Sequence, residues 1–210
     1  MSVVEGKITV RELEPEMADD YLAFFDEVYD HDKWLRYEEN QGWGGCYCTF
    51  YDDVRSEDEV KASKDKRGEN REARRKTIQD GRASGLLAYV DGKAVGWCNV
   101  RSRGGFANLR HLALAVNTGE DVGAITCFLV LQGYRGQGIA KRLLESACEL
   151  VRGWGMSVVE AYPRRPDLPL NEHEIPGENL SFKGSLSMYE KAGFEVHKKL
   201  ERLYVVRKRL

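Results

Sequence analysis

The chain has 210 residues, 42% hydrophobic and 31% charged, with a net charge of −2. These values exclude a disordered or collagen-like chain, and the length gives a core that needs no disulfide or metal staple. No apolar stretch approaches the roughly 20 residues of a bilayer helix, and the balanced charge gives no electrostatic reason to expect nucleic acid or an anionic membrane as partner. Five cysteines are an odd number and cannot all pair. Met1–Lys7 carries no export pattern, so reduced thiols in a cytoplasm are expected.

Lys7 to Glu12 alternates apolar and polar residues and reads as a strand. Glu14-Pro15 opens a helix, because proline's missing N–H has no partner in a first turn. Met17, Tyr21, Phe24, Phe25 and Val28 give that helix a buried face. Residues 38–52 crowd aromatics, glycines and Cys46-Tyr47-Cys48 into a short segment. Residues 53–82 are mostly charged with mixed signs, which suits a solvated helix rather than a nucleic-acid face. Gly85–Val90 and Ala94–Val100 form a hairpin across Asp91-Gly92. Ala124–Leu131 is a nearly continuous apolar run, as in a central strand buried on both faces. A glycine-rich turn follows, then a helix with Ile139, Leu143, Ala147, Leu150, Val151 and Trp154 on one face, ending near Gly153 or Gly155. Ser157–Tyr162 is a strand stopped by Pro163, and 163–184 reads as a long loop. Ser185–Ala192 is a short helix, with strands around Phe194–Lys198 and Leu203–Lys208. The expected fold is one α/β (α+β) domain over 1–210, with a mixed, mostly antiparallel sheet flanked by helices.

The chemistry concentrates at Gln132-Gly-Tyr-Arg-Gly-Gln-Gly-Ile-Ala140. A glycine turn feeding a helix aims several backbone N–H groups at one point and makes an anion site. Taken alone, a tight turn with no ligand is an equal reading. Gly-x-x-x-x-Gly-Lys-Ser/Thr is absent, against an NTPase loop. The turn sits late in the chain without Gly-x-Gly-x-x-Gly, against a dinucleotide fold.

Arg135-Gly-Gln-Gly-Ile-Ala140 fits Arg/Gln-x-x-Gly-x-Gly/Ala and resembles the acetyl-CoA pyrophosphate loop of the GNAT N-acetyltransferase superfamily. Tyr189-Glu-Lys-Ala-Gly-Phe194 is similar to that superfamily's Tyr-Glu-x-x-Gly-Phe signature. The resemblance covers about residues 5–30 and 83–208 and leaves 31–82 as a variable acceptor-side segment. Cys-Tyr-Cys at 46–48, Thr-Cys-Phe at 126–128 and Glu-Ala-Tyr-Pro at 160–163 resemble a subgroup of bacterial acetyltransferases. The resemblance implies two central strands that splay apart, with Phe128, Leu129, Val130 and Leu131 pairing with the pantetheine arm. It implies that the N–H groups of Arg135, Gly136, Gln137, Gly138, Ile139 and Ala140 hold the pyrophosphate, with charge from Arg135 and Lys141. It also implies a backbone N–H of Leu129 or Val130 as oxyanion donor, and Tyr189 beside the CoA sulfur. The alternative reading of Tyr189 is a core aromatic of the short helix. Proton transfer from a phenol to a thiolate is uphill by roughly 2 kcal/mol in water, so a hydrogen bond to the sulfur is the better statement.

A lysine-like amine with pKa near 10.4 needs a base. The central strand Ile125–Phe128 offers no acid. Glu160 is a candidate proton relay, set against an ordinary ion-paired carboxylate. Glu172, His173 and Glu174 lie in the long loop, where a solvated histidine is the commoner case. Cys46 and Cys48 lack the four-ligand set of a structural zinc site, and no metal is expected. Trp43, Tyr47, Phe50 and Tyr51 form either an acceptor wall or a satellite core. Asp167, Glu172, Glu174 and Glu178 either attract a cationic amine or are simply solvated. The expected activity is acetyl transfer from acetyl-CoA to a small-molecule amine by direct attack in a ternary complex. A protein or peptide amine acceptor, or a non-catalytic acyl-CoA sensor, stands beside it, and a homodimer is an analogy only.

Overall fold

The computed structural model describes residues 7–31, 45–52, 66–109, 121–168 and 182–210. The strands are β1 (Thr9–Glu12), β2 (Leu86–Val90), β3 (Lys93–Ser102), β4 (Val122–Val130), β5 (Val158–Ala161), β6 (Glu195–Lys199) and β7 (Tyr204–Arg209). They form one seven-stranded sheet in the order β1-β2-β3-β4-β5-β7-β6. Only β4 and β5 run parallel, and the other neighbours are antiparallel. The helices are α1 (Ala18–His31), α2 (Lys66–Gln79), α3 (Ile139–Gly153) and α4 (Leu186–Lys191). The mixed, mostly antiparallel sheet with flanking helices is the expected fold class. None of these helices is long and apolar enough to cross a membrane.

Local chemistry sets the boundaries. Pro15 starts a 3-10 turn, Pro15–Met17, that leads into α1. Asp91 (φ 50°) and Gly92 (φ 80°) are both left-handed, the signature of the tight turn whose twist matches a hairpin. Gly155 (φ 77°) stops α3. Strand alternation places α1 and α3 on opposite faces. Trp97 meets Tyr21 and Phe25 of α1, with ring centroids 4.9 and 6.4 Å away. The adjacent Gly96 faces α3, where a Cβ would come within 2.9 Å of Ile139.

The charged segment departs from the solvated helix expected of it. Of residues 53–82, 53–65 lie outside the described residues, and α2 turns one face inward. Ile78 and Arg74 on that face are buried. Its arginines are taken up by acids: Arg71 and Arg67 by Asp26, Arg75 by Asp19, and Arg74 by Asp52. Alternating charge alone does not tell a solvated face from one pairing with a neighbouring helix.

The sheet opens where β5 stops. β4 pairs with β5 over Val122–Ile125 and Val158–Ala161. Tyr162 and Pro163 then leave the ladder, and Pro163 has no N–H to extend it. β4 continues through Thr126–Val130 with β3 on one side. The two central strands are thus joined at one end and separate at the other.

Candidate active site

The glycine turn sits at the end of that separated strand. Gln132–Tyr134 makes a 3-10 turn, and Gly136 (φ 75°) and Gly138 (φ 85°) are left-handed. A Cβ on either would meet nothing within 4 Å, so these glycines serve backbone conformation and leave open space in front of the helix. The first bond of α3 runs from Arg142 N–H to the Gly138 carbonyl at 3.0 Å. The N–H groups of Gly138, Ile139, Ala140 and Lys141 precede it and point out of the helix start. Arg135 folds back, its Nε donating to the Val130 carbonyl at 2.9 Å. The Gln137 amide donates to the Gly133 carbonyl at 2.9 Å. Lys141 is exposed beside Glu145 at 3.9 Å. A groove of about 650 Å³ runs between α3 and α4. Its lining includes apolar Leu144, Cys148 and Met188, basic Lys141, Lys191 and Lys208, and acidic Glu145 and Glu149.

Parity along β4 sorts the four strand residues. Leu131 N–H donates to Val95 of β3 at 3.0 Å, so Leu129, in register with Trp97, also turns its N–H to β3. Phe128 and Val130 turn theirs to the open edge. Phe128 N–H is met there by the Phe182 carbonyl at 2.6 Å.

Tyr189 lies against this strand, its ring 6.3 Å from Phe128 and 5.2 Å from Phe194. It is fully buried, and its hydroxyl donates to the Lys183 carbonyl at 2.9 Å. Burial holds the phenol well above its usual pKa. Glu160 is also fully buried. Arg207 Nε donates to it at 2.7 Å, Tyr162 at 2.6 Å, and Arg103 Nε stands 3.3 Å away. This network ties β5 to β7 and engages both carboxylate oxygens. Asp167 is paired with Arg165. Trp43, Glu172, His173, Glu174 and Glu178 lie outside the described residues.

The Cys-x-Cys segment is strained and clamped. Tyr47 (φ 43°) and Cys48 (φ 54°) are consecutive left-handed non-glycine residues, at a cost of about 1–3 kcal/mol each. Tyr21 and Arg74 Nε donate to the Tyr47 carbonyl at 2.8 and 3.1 Å. Arg74 Nη2 donates to the Cys48 carbonyl and reaches Asp52 at 2.9 Å. Asn70 donates to the Gly45 carbonyl at 3.0 Å. The clamp brings Cys46 and Cys48 to Cys127 of β4. With Phe50, Tyr51, Leu129 and Phe182 these line an apolar cavity of about 30 Å³. Tyr47 points away, into the α1 core. Behind the wall, Lys183 Nζ donates to Tyr51 Oη at 2.6 Å and lies over the Phe182 ring. Burial lowers this lysine to a pKa of about 8.

Arg74, Asn99, Phe182 and Lys183 escape a reading of the sequence. Nothing marks Arg74 among its charged neighbours. Phe182 and Lys183 sit in a stretch without periodicity. A single lysine after an aromatic carries no signal of burial.

An anion-ready helix start thus stands at the end of a half-paired strand, an arrangement suited to a phosphate group. The chain belongs to the acetyltransferase (GNAT) family, whose model matches residues 48–171. It is 28% identical over 128 residues to an N-alpha-acetyltransferase of Sulfurisphaera tokodaii, covering 60% of this chain. The chain spans 65% of that relative's length. An acetyltransferase of the GNAT family from Listeria monocytogenes superposes with a TM-score of 0.59 at 16% identity, covering 100% of this chain and 99% of the other. The PaiA N-acetyltransferase from Thermoplasma acidophilum, solved in complex with coenzyme A, gives 0.53 at 16% identity over 97% and 99%. At these identities the two structures share the fold.

Proposed function

We propose that the protein transfers an acetyl group from acetyl-CoA to a primary amine of a small molecule, by direct attack in a ternary complex. The observation that carries this reading is one continuous path. The helix start at Gly138–Lys141 adjoins the open edge of β4, and the edge adjoins the small apolar cavity. The pyrophosphate takes the N–H groups of residues 135–140, with Arg135 and Lys141 adding charge. The pantetheine arm follows Phe128–Leu131, using the Val130 N–H and carbonyl. The thioester carbonyl replaces the Phe182 carbonyl at Phe128 N–H, so that charge growing on oxygen meets a fixed donor. Tyr189 then exchanges its bond to Lys183 for one to the departing sulfur. Glu160 enters as an anchor of β5 rather than as a base. The attacking amine must be neutral, and the Lys183–Tyr51 pair beside the cavity supplies an outlet for its proton.

A second reading, an N-terminal α-amine of a protein or peptide, is favoured by the name of the Sulfurisphaera tokodaii relative. An α-amine has a pKa near 8 and is easier to neutralise than a lysine-like one. Thiol release from acetyl-CoA, measured against panels of small amines and of short peptides, tests both. Turnover with small amines supports the first reading, and turnover confined to peptides replaces it with the second. No release with either, together with no thermal stabilisation by acetyl-CoA, refutes the transferase reading.

A further inference from the structure

Four of the five cysteines are accounted for as ordinary buried or half-buried thiols. Burial raises Cys98 and Cys148 above the usual thiol range and pushes Cys46 up to about 12. Cys127 rises as well, through its hydrogen bond with Cys48 and through burial. Cys48 alone moves down, chiefly because Cys127 hydrogen-bonds to it, with the Arg74 charge assisting. Its sulfur also accepts from Asn99 Nδ2 at 3.2 Å. Of the clustered thiols, Cys48 is the one whose surroundings favour the thiolate.

Geometry gives that sulfur a direction. The strained Tyr47-Cys48 pair is held by Arg74 and Tyr21, with Asn70 on the Gly45 carbonyl just before it, and strain of this kind persists only where the surroundings fix it. It places Cys48 on the wall of the same cavity as Leu129 and Phe182. Phe182 is the residue whose carbonyl sits on Phe128 N–H, the place assigned above to the acetyl carbonyl. We propose that Cys48 is a self-acetylation site, taking the acetyl group from bound acetyl-CoA as a thioester when no amine occupies the cavity.

The step conserves atoms and electrons. The Cys48 sulfur forms a bond to the carbonyl carbon, the bond from that carbon to the CoA sulfur breaks, and the electron pair leaves as CoA thiolate. One thioester replaces another, so nothing is oxidised or reduced, and excess acetyl-CoA drives the exchange. Asn99 and Cys127 donate to the attacking sulfur, and the proton of the Cys48 thiol passes to the departing CoA thiolate. An amine entering later takes the acetyl group from either sulfur.

This rests on the acetyl-CoA reading above, and the test keeps the two apart. The full chain is incubated with excess acetyl-CoA and no amine, quenched in acid and weighed intact. Thermal stabilisation by acetyl-CoA is measured in parallel. The expected result is one acetyl group per chain, removed by neutral hydroxylamine as a thioester is, and mapping to Cys48. Cys48→Ala and Cys48→Ser are expected to lose it while keeping the stabilisation. Stabilisation without an adduct overturns the proposal and leaves the acetyl-CoA reading standing. An adduct that resists hydroxylamine, or that persists in both variants, also overturns it. Neither stabilisation nor adduct refutes both.

Discussion

Gly138→Ala separates the backbone role of the turn from its ligand role. Gly138 is left-handed at φ 85° and ψ 0°, where an L side chain costs roughly 1–2 kcal/mol. No heavy atom lies within 4 Å of the added methyl, so no clash enlarges that cost. For a chain of this size 1 kcal/mol moves Tm by about 2–4 °C, and the unliganded variant is expected to melt roughly 2–8 °C lower. The methyl stands in the open space before the helix start, which a phosphate must approach closely. Ligand at 100 times Kd stabilises by about 2.7 kcal/mol, or about 5–11 °C. If the methyl weakens binding 100-fold, the same concentration leaves about 0.4 kcal/mol, or about 1–2 °C. Differential scanning fluorimetry of both proteins with and without acetyl-CoA reads both numbers. A full ligand shift in the variant would refute the placement of the pyrophosphate on this turn.

Arg74→Met leaves the Cys48 carbonyl and Asp52 short of a buried donor, and is expected to cost about 3–5 kcal/mol, read by urea denaturation. A loss below about 1 kcal/mol would show that the Tyr47-Cys48 pair does not depend on its clamp. Tyr189→Phe removes one hydroxyl bond to a backbone carbonyl, so stability is expected to fall by only about 1 kcal/mol, with acetyl-CoA binding retained and turnover reduced. Turnover equal to the parent's would return Tyr189 to a packing role. Lys183 has its pKa lowered to about 8 by burial. Between about pH 8 and its unfolded value near 10.4 the unfolded chain holds the extra proton, so this group makes stability rise with pH. Lys183→Met is therefore expected to gain most over the parent at pH 7, the advantage shrinking between pH 8 and 10. An advantage constant across that range, in denaturation curves at matched ionic strength, would place the lysine in water.

The elements were legible because periodicity reports burial. Ile139, Leu143, Ala147 and Val151 all face the sheet, and Asp91-Gly92 turns the hairpin that its φ preferences demand. The turn at 135–140 was legible because left-handed backbone needs glycine. Which N–H groups serve a ligand was not, since the parity of β4 against β3 is fixed by register and not by composition. That register turns the N–H of Leu129 inward and those of Phe128 and Val130 outward. The acceptor side was least legible. Arg74, Asn99 and Lys183 gain their roles from contacts spanning 26, 51 and 132 positions, and no local pattern anticipates a partner that distant. Glu160 shows the reverse: its residue type suggested chemistry, while its burial and its partners Tyr162, Arg207 and Arg103 could not be read from local sequence.

Two successive carbonyls, those of Phe182 and Lys183, sit on Phe128 N–H and Tyr189 Oη. Both donors are thus occupied by the chain's own backbone. On the acyl placement proposed above, an arriving ligand would trade these internal bonds for new ones at nearly constant number, so binding energy would come from the nucleotide end and from apolar contact. The same trade would ease departure, because the backbone bonds re-form as product leaves. The two residues Phe182 and Lys183, shortly before α4, would then govern residence time as well as line the site, and their backbone bonds would set the rate of release.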